Sequence, residues 1–449
     1  MRFQKNYLVA VIGAGPAGLY AAQYLARQGV QVVLFNRDIK PGGLAEYGIF
    51  PDKHKMRTGL KTQFKSILRM PSVRYLGNVT VGQSGDIKFD QLRRAGFQAL
   101  MVTTGAQENN WLGLPGEDLN GVYHANDIVF HYNHLPERVD QQFDFGHKIA
   151  VIGVGNVMLD IVNYLKRDHH PGVVTAYARR GPGAVKFDKQ TLEPVAGCLD
   201  LAAIKSAVDE TTPTLLSVGE DAASFFSLLA EAREKSQDCD SGLIFRMRFL
   251  RSPRKLIGDE MGWVRAVEFE VNRLVKKDGM LLARGTGQLE TVPADTIIFS
   301  IGSHVDSGLG LPIAQGNYLT SPEPRFPIDG ISYEVYNLDL CVHCEDIFVC
   351  GWARLASEGI VGLARKDAER GARALLQYLE TLAPISPTEI DNAVDHLPKI
   401  GKRRVDLTDL EILWAIENKI ALEKGLAEFK FSSNEAMLKA IEKGLTRKY

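Results

Sequence analysis

Apolar positions in this chain fall into short runs that end at glycine turns and alternate with longer amphipathic stretches. The run at residues 7–12 breaks at Gly13-Ala-Gly15-Pro16-Ala17-Gly18, continues as a stretch rich in Ala and Leu, and meets a second run at residues 30–35. Runs this short, bounded by glycine, predict buried strands, and the stretch between them predicts a helix. The first 35 residues therefore read as strand, tight turn, helix, strand. The pattern starts again at residues 147–160, HKIAVIGVGNVMLD, followed by a strand at 173–178 that ends in Arg179-Arg180-Gly181. Between and after these units the spacing predicts a helix over 55–68 and strands over 73–81 and 99–102, the latter entering Thr103-Thr104-Gly105. Further on it predicts a helical segment over 212–236, an alternating strand within 242–255, strands over 296–301 and 347–351, and a small-residue helix through 379. Residues 406–449 read as helical and charged, with no chemistry assigned.

The glycines give the two repeats their chemical meaning. Gly13 allows the turn, Gly15 lets the backbone approach a pyrophosphate, and Gly18 lets the helix pack close to the strand, so that the helix N-terminus at Pro16 and Ala17 faces an anion. A lone GxGxxG also serves ordinary turns; here the helix and second strand follow in order, and a dinucleotide is expected. Asn36 closes the second strand, where an acid usually holds ribose hydroxyls, and its amide can bond a hydroxyl with less charge assistance. Gly42, Gly43 and Gly48 mark either a backbone passing close to a flat ligand or a plain loop. Thr104-Gly105 suits a chain returning across the dinucleotide.

In the second repeat Gly155, Asn156 and Val157 hold the turn and helix start, and Met158 fills a slot usually held by Gly or Ala, which is expected to push the helix from its strand. Arg179 and Arg180 stand where an adenosine ribose would lie, and guanidinium forks suit a 2′-phosphate. They point to NADP(H) over NAD(H), the alternative being two solvated arginines. Arg246, Arg248, Arg251, Arg254 and Lys255 form either a docking patch for an acidic protein or a solvated strand edge. Cys341 and Cys344 have the spacing of a zinc or redox pair but lack a second pair, and unlinked thiols are expected.

A chain of 449 residues with 45% hydrophobic content has room for two or three domains of a globular protein. Its formal net charge of −1 supplies no global field for nucleic acid or a membrane surface. An odd count of five cysteines does not suggest a disulfide framework, and a cytoplasmic location is expected. No run of about 18 apolar residues predicts a membrane span, and no processing segment is expected ahead of the first strand.

The order of GAGPAGLYAAQYL, GLAEYGIFPD, GNVTVG, LPGEDLNGVYHANDIVFHYNHLP, VIGVGNVMLDIV, ARRGP, RFLRSP, FSIG and FVCGW before EGIV resembles adrenodoxin reductase and the bacterial ferredoxin-NADP reductases related to it, over nearly the whole chain. The resemblance implies FAD at Ala17, Asn36, Leu44, Val81, Trp352 and Gly359-Ile360-Val361. It implies NADP at Gly155, Asn156, Val157, Arg179, Arg180 and Gly359. The chain departs from the family at Asn36 and Thr191, each in place of a Glu, at Pro51-Asp52-Lys53-His54, and at Leu355-Ala-Ser-Glu358-Gly359. Lys53, His54 and Glu358 are candidate catalytic groups that stabilise reduced flavin or relay a proton; the plainer reading is exposed loop charge.

The expected fold is α/β, with two Rossmann-like nucleotide-binding domains, the NAD(P) domain (106–319) inserted in the FAD domain (1–105 and 320–449, the latter with a helical extension). The expected function is an FAD-dependent oxidoreductase passing hydride between NADPH and flavin, and single electrons between flavin and a ferredoxin-type iron-sulfur protein. The alternatives are an electron-transfer subunit of a larger iron-sulfur enzyme and a flavin-bearing scaffold without turnover.

Overall fold

The computed structural model describes residues 6–169, 171–356 and 361–446. In chain order the elements that matter are β1 (Leu8–Ile12), α1 (Pro16–Arg27), β2 (Gln31–Phe35), α2 (Leu44–Tyr47), α3 (His54–Leu68), β3 (Val73–Leu76) and β4 (Ala99–Val102). Next come β5 (Val122–His124), β6 (Lys148–Ile152), α4 (Asn156–Asp168), β7 (Val173–Tyr177), α5 (Lys189–Leu192), β8 (Ile244–Arg248), β9 (Arg251–Gly258), β10 (Val264–Lys277), β11 (Met280–Pro293) and β12 (Thr296–Phe299). The chain closes with β13 (Glu334–Asn337), β14 (Val342–Val349), α6 (Val361–Leu379), α7 (Leu407–Glu423) and α8 (Asn434–Thr446).

Two compact units result. The first comprises Met1–Asn109, Tyr132–Val139 and Gly302–Tyr449. Its sheet has the order β13-β14-β4-β1-β2-β3, parallel except for the β13–β14 hairpin. Strands covered on both faces read as continuous apolar runs, which is why Leu8–Ile12 and Ala99–Val102 carry no polar alternation. Small residues let α1 and α6 pack together over one face: Ala21 and Ala22 meet a helix whose buried positions include Ala368, Ala372 and Ala374. Residues 302–319, which the sequence reading gives to the inserted domain, lie in this unit because Leu309, Leu311 and Tyr318 pack with Val81, Phe97 and Val335.

The second unit, Asn110–His131 and Asp140–Ile301, has a parallel sheet of order β5-β12-β6-β7-β8 and an antiparallel meander, β9-β10-β11. Tyr177 of β7 stacks on Phe269 of β10 at 4.3 Å between ring centres. The meander is longer than its sequence signal, because the turn at Asp278-Gly279 is flanked by half-exposed strands with mixed polarity.

Several elements differ from the sequence pattern for local reasons. The strand predicted over 73–81 stops at Leu76, just before Asn78 turns left-handed at φ 59°. The helix predicted over 212–236 is two helices, Thr212–Ser217 and Ala223–Lys235, parted at Gly219 with φ 75°. The strand within 242–255 is two strands broken at Leu250, φ 54°, so the arginine run is split between sheets. Met158 is fully buried, so the larger side chain is taken up inside the core.

Cysteine pairing also departs from the expectation. Cys198 and Cys239 form a disulfide, whereas Cys341, Cys344 and Cys350 are free thiols. An odd total leaves pairing of a subset open, and only the fold brings positions 41 residues apart together. No helix among the described residues is long and apolar enough to cross a membrane. Thiol titration of unreduced, denatured protein should therefore find three reactive cysteines, rising to five after reduction. Removing the bridge by C198S/C239S should cost about 4 kcal/mol of stability on the loop-entropy account, read by denaturant unfolding.

Candidate nucleotide-binding sites

In the first unit the turn between β1 and α1 is built by three glycines with different duties. A Cβ on Gly13, at φ 103°, would sit 2.7 Å from Thr103 O, and one on Gly18 would overlap the Gly13 carbonyl. Those two positions need glycine for the protein's own packing. At Gly15 an added Cβ would meet no protein atom within 4 Å, and the same holds at Gly105, φ 73°. Thr104, directly before Gly105, has a buried hydroxyl beside Tyr318, whose own hydroxyl donates to Asp306 O at 2.7 Å. An open glycine at a helix N-terminus and an open glycine at the end of β4 fit a dinucleotide laid across the strand ends.

The cavity beside this turn is lined by Asn36, Arg37, Asp38, Val81, Gly105 and Tyr318 among others. Asn36 is buried, and its amide is largely committed: Nδ2 donates to Asp38 O at 2.9 Å and Lys40 O at 3.0 Å, and Oδ1 accepts from Ala14 N at 3.0 Å. It ties the turn to the segment after β2, and only the second lone pair of Oδ1 remains for a hydroxyl. Arg37, whose guanidinium donates to Gln107, and Asp38 were not singled out by sequence. Burial raises the Asp38 carboxyl, with Arg37 opposing. The only sequence cue to them was their place directly after β2.

Gly42, Gly43 and Leu44 lean on the same turn. Gly42 N donates to Ala14 O at 2.7 Å, and a Cβ on Gly43, φ 50°, would stand 3.1 Å from Gly15 Cα. Gly351, just before Trp352, has φ 68°, and its Cβ position would collide with the Ala17 methyl 2.5 Å away. Trp352 is thus carried to the start of α1. Val361 begins α6. Lys53 is the N-cap of α3, and His54, its first residue, is exposed. Glu358, Gly359 and Ile360 lie outside the described residues.

In the second unit a Cβ on Gly153, φ 123°, would fall 2.1 Å from Ser300 O, while Gly155 at the N-cap of α4 again faces open space. The Asn156 amide donates to Asp188 Oδ2 at 2.8 Å and accepts from Asp188 N at 3.0 Å. Val157 is exposed. Arg179 and Arg180 follow β7, and neither guanidinium has a carboxylate within 4 Å among the described residues; their carbonyls accept from Asn272 and Leu250. Thr191 lies in the first turn of α5, where its hydroxyl and amide both donate to the carboxylate of Asp188, the N-cap of that helix.

The five-cation run is different. Arg246 pairs with Asp200, Arg248 and Arg251 with both Glu290 and Glu210, and Arg254 with Glu270. Four of its five cations have carboxylate partners within the unit, which fits the strand-edge alternative better than an unpaired docking patch.

The profile of the family described as pyridine nucleotide-disulphide oxidoreductase matches residues 7–189. The human mitochondrial NADPH:adrenodoxin oxidoreductase is 26% identical over 98% of this chain and 92% of its own. The NADPH-ferredoxin reductase FprA of Mycobacterium leprae is 28% identical over 90% of each. In structure, FprA of Mycobacterium tuberculosis, solved in complex with NADPH, superposes with a TM-score of 0.78 at 25% identity, covering 98% of this chain and 99% of that one.

The glycines separate packing from binding. Gly15→Ala should leave thermal stability unchanged and weaken binding of an adenine dinucleotide, whereas Gly18→Ala should lose about 1–3 kcal/mol of stability, both read by melting with and without the dinucleotide. With two open glycine turns and a likeness in sequence and fold over nearly its whole length, the chain is a ferredoxin-NAD(P) reductase-like flavoprotein oxidoreductase that resembles the adrenodoxin reductase type.

Proposed function

We propose that the first unit holds FAD and the second NADP(H), and that the protein passes hydride between NADPH and flavin and single electrons between flavin and a ferredoxin-type iron-sulfur protein. The observation that carries the reading is the pair of glycines, Gly15 and Gly155, each facing open space at the N-terminus of a helix that follows a parallel strand. Bound in the first unit, FAD would supply the chemistry that joins two-electron exchange with a nicotinamide to one-electron exchange with an iron-sulfur centre.

The residues of this chain bind and orient. The amides at Gly15–Gly18 and the dipole of α1 hold one pyrophosphate, and those at Gly155–Val157 with α4 hold the other. Gly43, Leu44, Val81, Gly105, Trp352 and Val361 bound the flavin nucleotide. Arg179 and Arg180, without carboxylate partners among the described residues, can fork onto a 2′-phosphate, which favours NADP(H) over NAD(H). Hydride exchange itself needs no general base, so Lys53 and His54 are assigned at most a supporting charge.

The names of the relatives, one acting with adrenodoxin and one with ferredoxin, support an iron-sulfur partner. Neither name describes a subunit of a larger enzyme, and that alternative gains nothing from them. In stopped-flow mixing, NADPH should bleach the flavin absorbance; no bleaching at any coenzyme concentration would end the reading. The R179A/R180A variant should raise the KM for NADPH by about 10- to 100-fold, with NADH use unchanged. Equal loss with both coenzymes would remove the arginines from 2′-phosphate recognition.

A further inference from the structure

The C-terminal helices, which the proposed function leaves idle, reach into the first unit through buried charge. Lys40 Nζ stands 2.7 Å from Glu46 Oε1 and 2.9 Å from Glu417 Oε2 of α7. Lys61 lies 2.7 Å from Glu46 Oε2 and pairs with Glu428, which Arg57 meets at 2.5 Å. Lys430, between α7 and α8, donates to the Glu46 carbonyl at 2.6 Å and the Asn133 carbonyl at 3.3 Å, and lies 3.5 Å from Glu46 Oε1. Its ammonium also stands 5.2 Å from the centre of the Tyr47 ring.

Four cations, Lys40, Arg57, Lys61 and Lys430, thus meet three carboxylates, Glu46, Glu417 and Glu428, which leaves one positive charge in excess. The side chains of Lys40, Glu46 and Lys430 are each 4% exposed. Burying a surplus cation is unfavourable, and burial pushes the Lys430 amine down to about 7 against the pull of Glu46 and Glu428. An arrangement that stability alone would not select calls for another role. The segment it grips is Gly42–Tyr47, whose other end rests on Gly15 through the Gly42–Ala14 hydrogen bond and the Gly43 contact.

We propose that Lys430 is a positioning residue for the flavin nucleotide: by holding the Glu46 carbonyl and the Tyr47 ring, it sets the Gly42–Tyr47 segment against the Gly13–Gly18 turn. The inference rests on the reading that FAD occupies the first unit. It gives the C-terminal extension a part in binding the cofactor without touching it.

Lys430→Met separates this role from a structural one, because its removal leaves three cations facing three carboxylates. The apoprotein should melt no lower than wild type, while FAD binds about 10- to 100-fold more weakly and the visible circular dichroism of bound flavin changes. FAD affinity is read by flavin fluorescence on titrating full-length apoprotein. Because Lys430 acts through the segment, its loss and that of Gly43→Ala should be less than additive on FAD affinity. A lowered apoprotein melting temperature with wild-type FAD affinity and dichroism, or strictly additive losses, would overturn the inference. Should Lys430→Met not fold, Lys430→Gln carries the same titration. Wild-type apoprotein that takes up no FAD would instead defeat the reading on which the inference rests.

Discussion

The structure depends on one close approach: the backbone of α1 comes so near the end of β1 that Gly18 has no room for a methyl group against the Gly13 carbonyl. That approach sets the helix N-terminus over the strand ends, and the unspent amides of its first turn then point into solvent beside Gly15. The second unit repeats only the strand-end contact, Gly153 against Ser300 as Gly13 against Thr103, with buried Met158 at the helix position that Gly18 holds in the first. A helix dipole and a row of free amides attract an anion only if no side chain stands in front of them, and Gly15 and Gly155 are where each unit keeps that space clear. The rest of each sheet serves to hold this geometry rigid, with β1 and β6 at its centre, buried and paired on both sides.

What was legible in the sequence follows from the range of the forces involved. Strands such as Leu8–Ile12 and Ala99–Val102, and the glycine turns after β1 and β6, are written in contiguous residues, because period and turn chemistry are local. The breaks at Asn78, Gly219 and Leu250 are single left-handed residues, two of them not glycine, and carry almost no sequence signal. The disulfide between Cys198 and Cys239 and the placement of residues 302–319 depend on contacts across tens of residues. Neither could be read from spacing alone.

Charge was the least legible property. Arg179 and Arg180 look much like Arg246 and Arg248 in the sequence, since each pair sits at or just after a strand. The difference is in what lies opposite. Glu290 of the meander and Asp200 before the neighbouring helix face the latter pair and spend its charge, whereas no carboxylate within ion-pair reach stands opposite the former among the described residues. A cation with its own carboxylate offers a visiting phosphate little, because the carboxylate must be displaced or repels the newcomer. On the proposed reading, recognition of a 2′-phosphate would fall to the arginines left unpaired among the described residues.

The same reasoning applies to the carboxylates near the first turn. Asn36 stands where an ionised side chain would sit beside the Ala14 amide, and its neutral amide instead closes a set of hydrogen bonds among Ala14, Asp38 and Lys40. A carboxylate there has no donor for the Asp38 and Lys40 carbonyls, and would leave both short of a partner. The exchange of an acid for Asn is thus tied to the course of the chain from Asn36 to Lys40, which delivers the Lys40 ammonium to Glu46 and Glu417. A substitution that looks like a loss of ribose recognition in the sequence becomes, in the fold, part of the support for the segment that lies against the nucleotide turn.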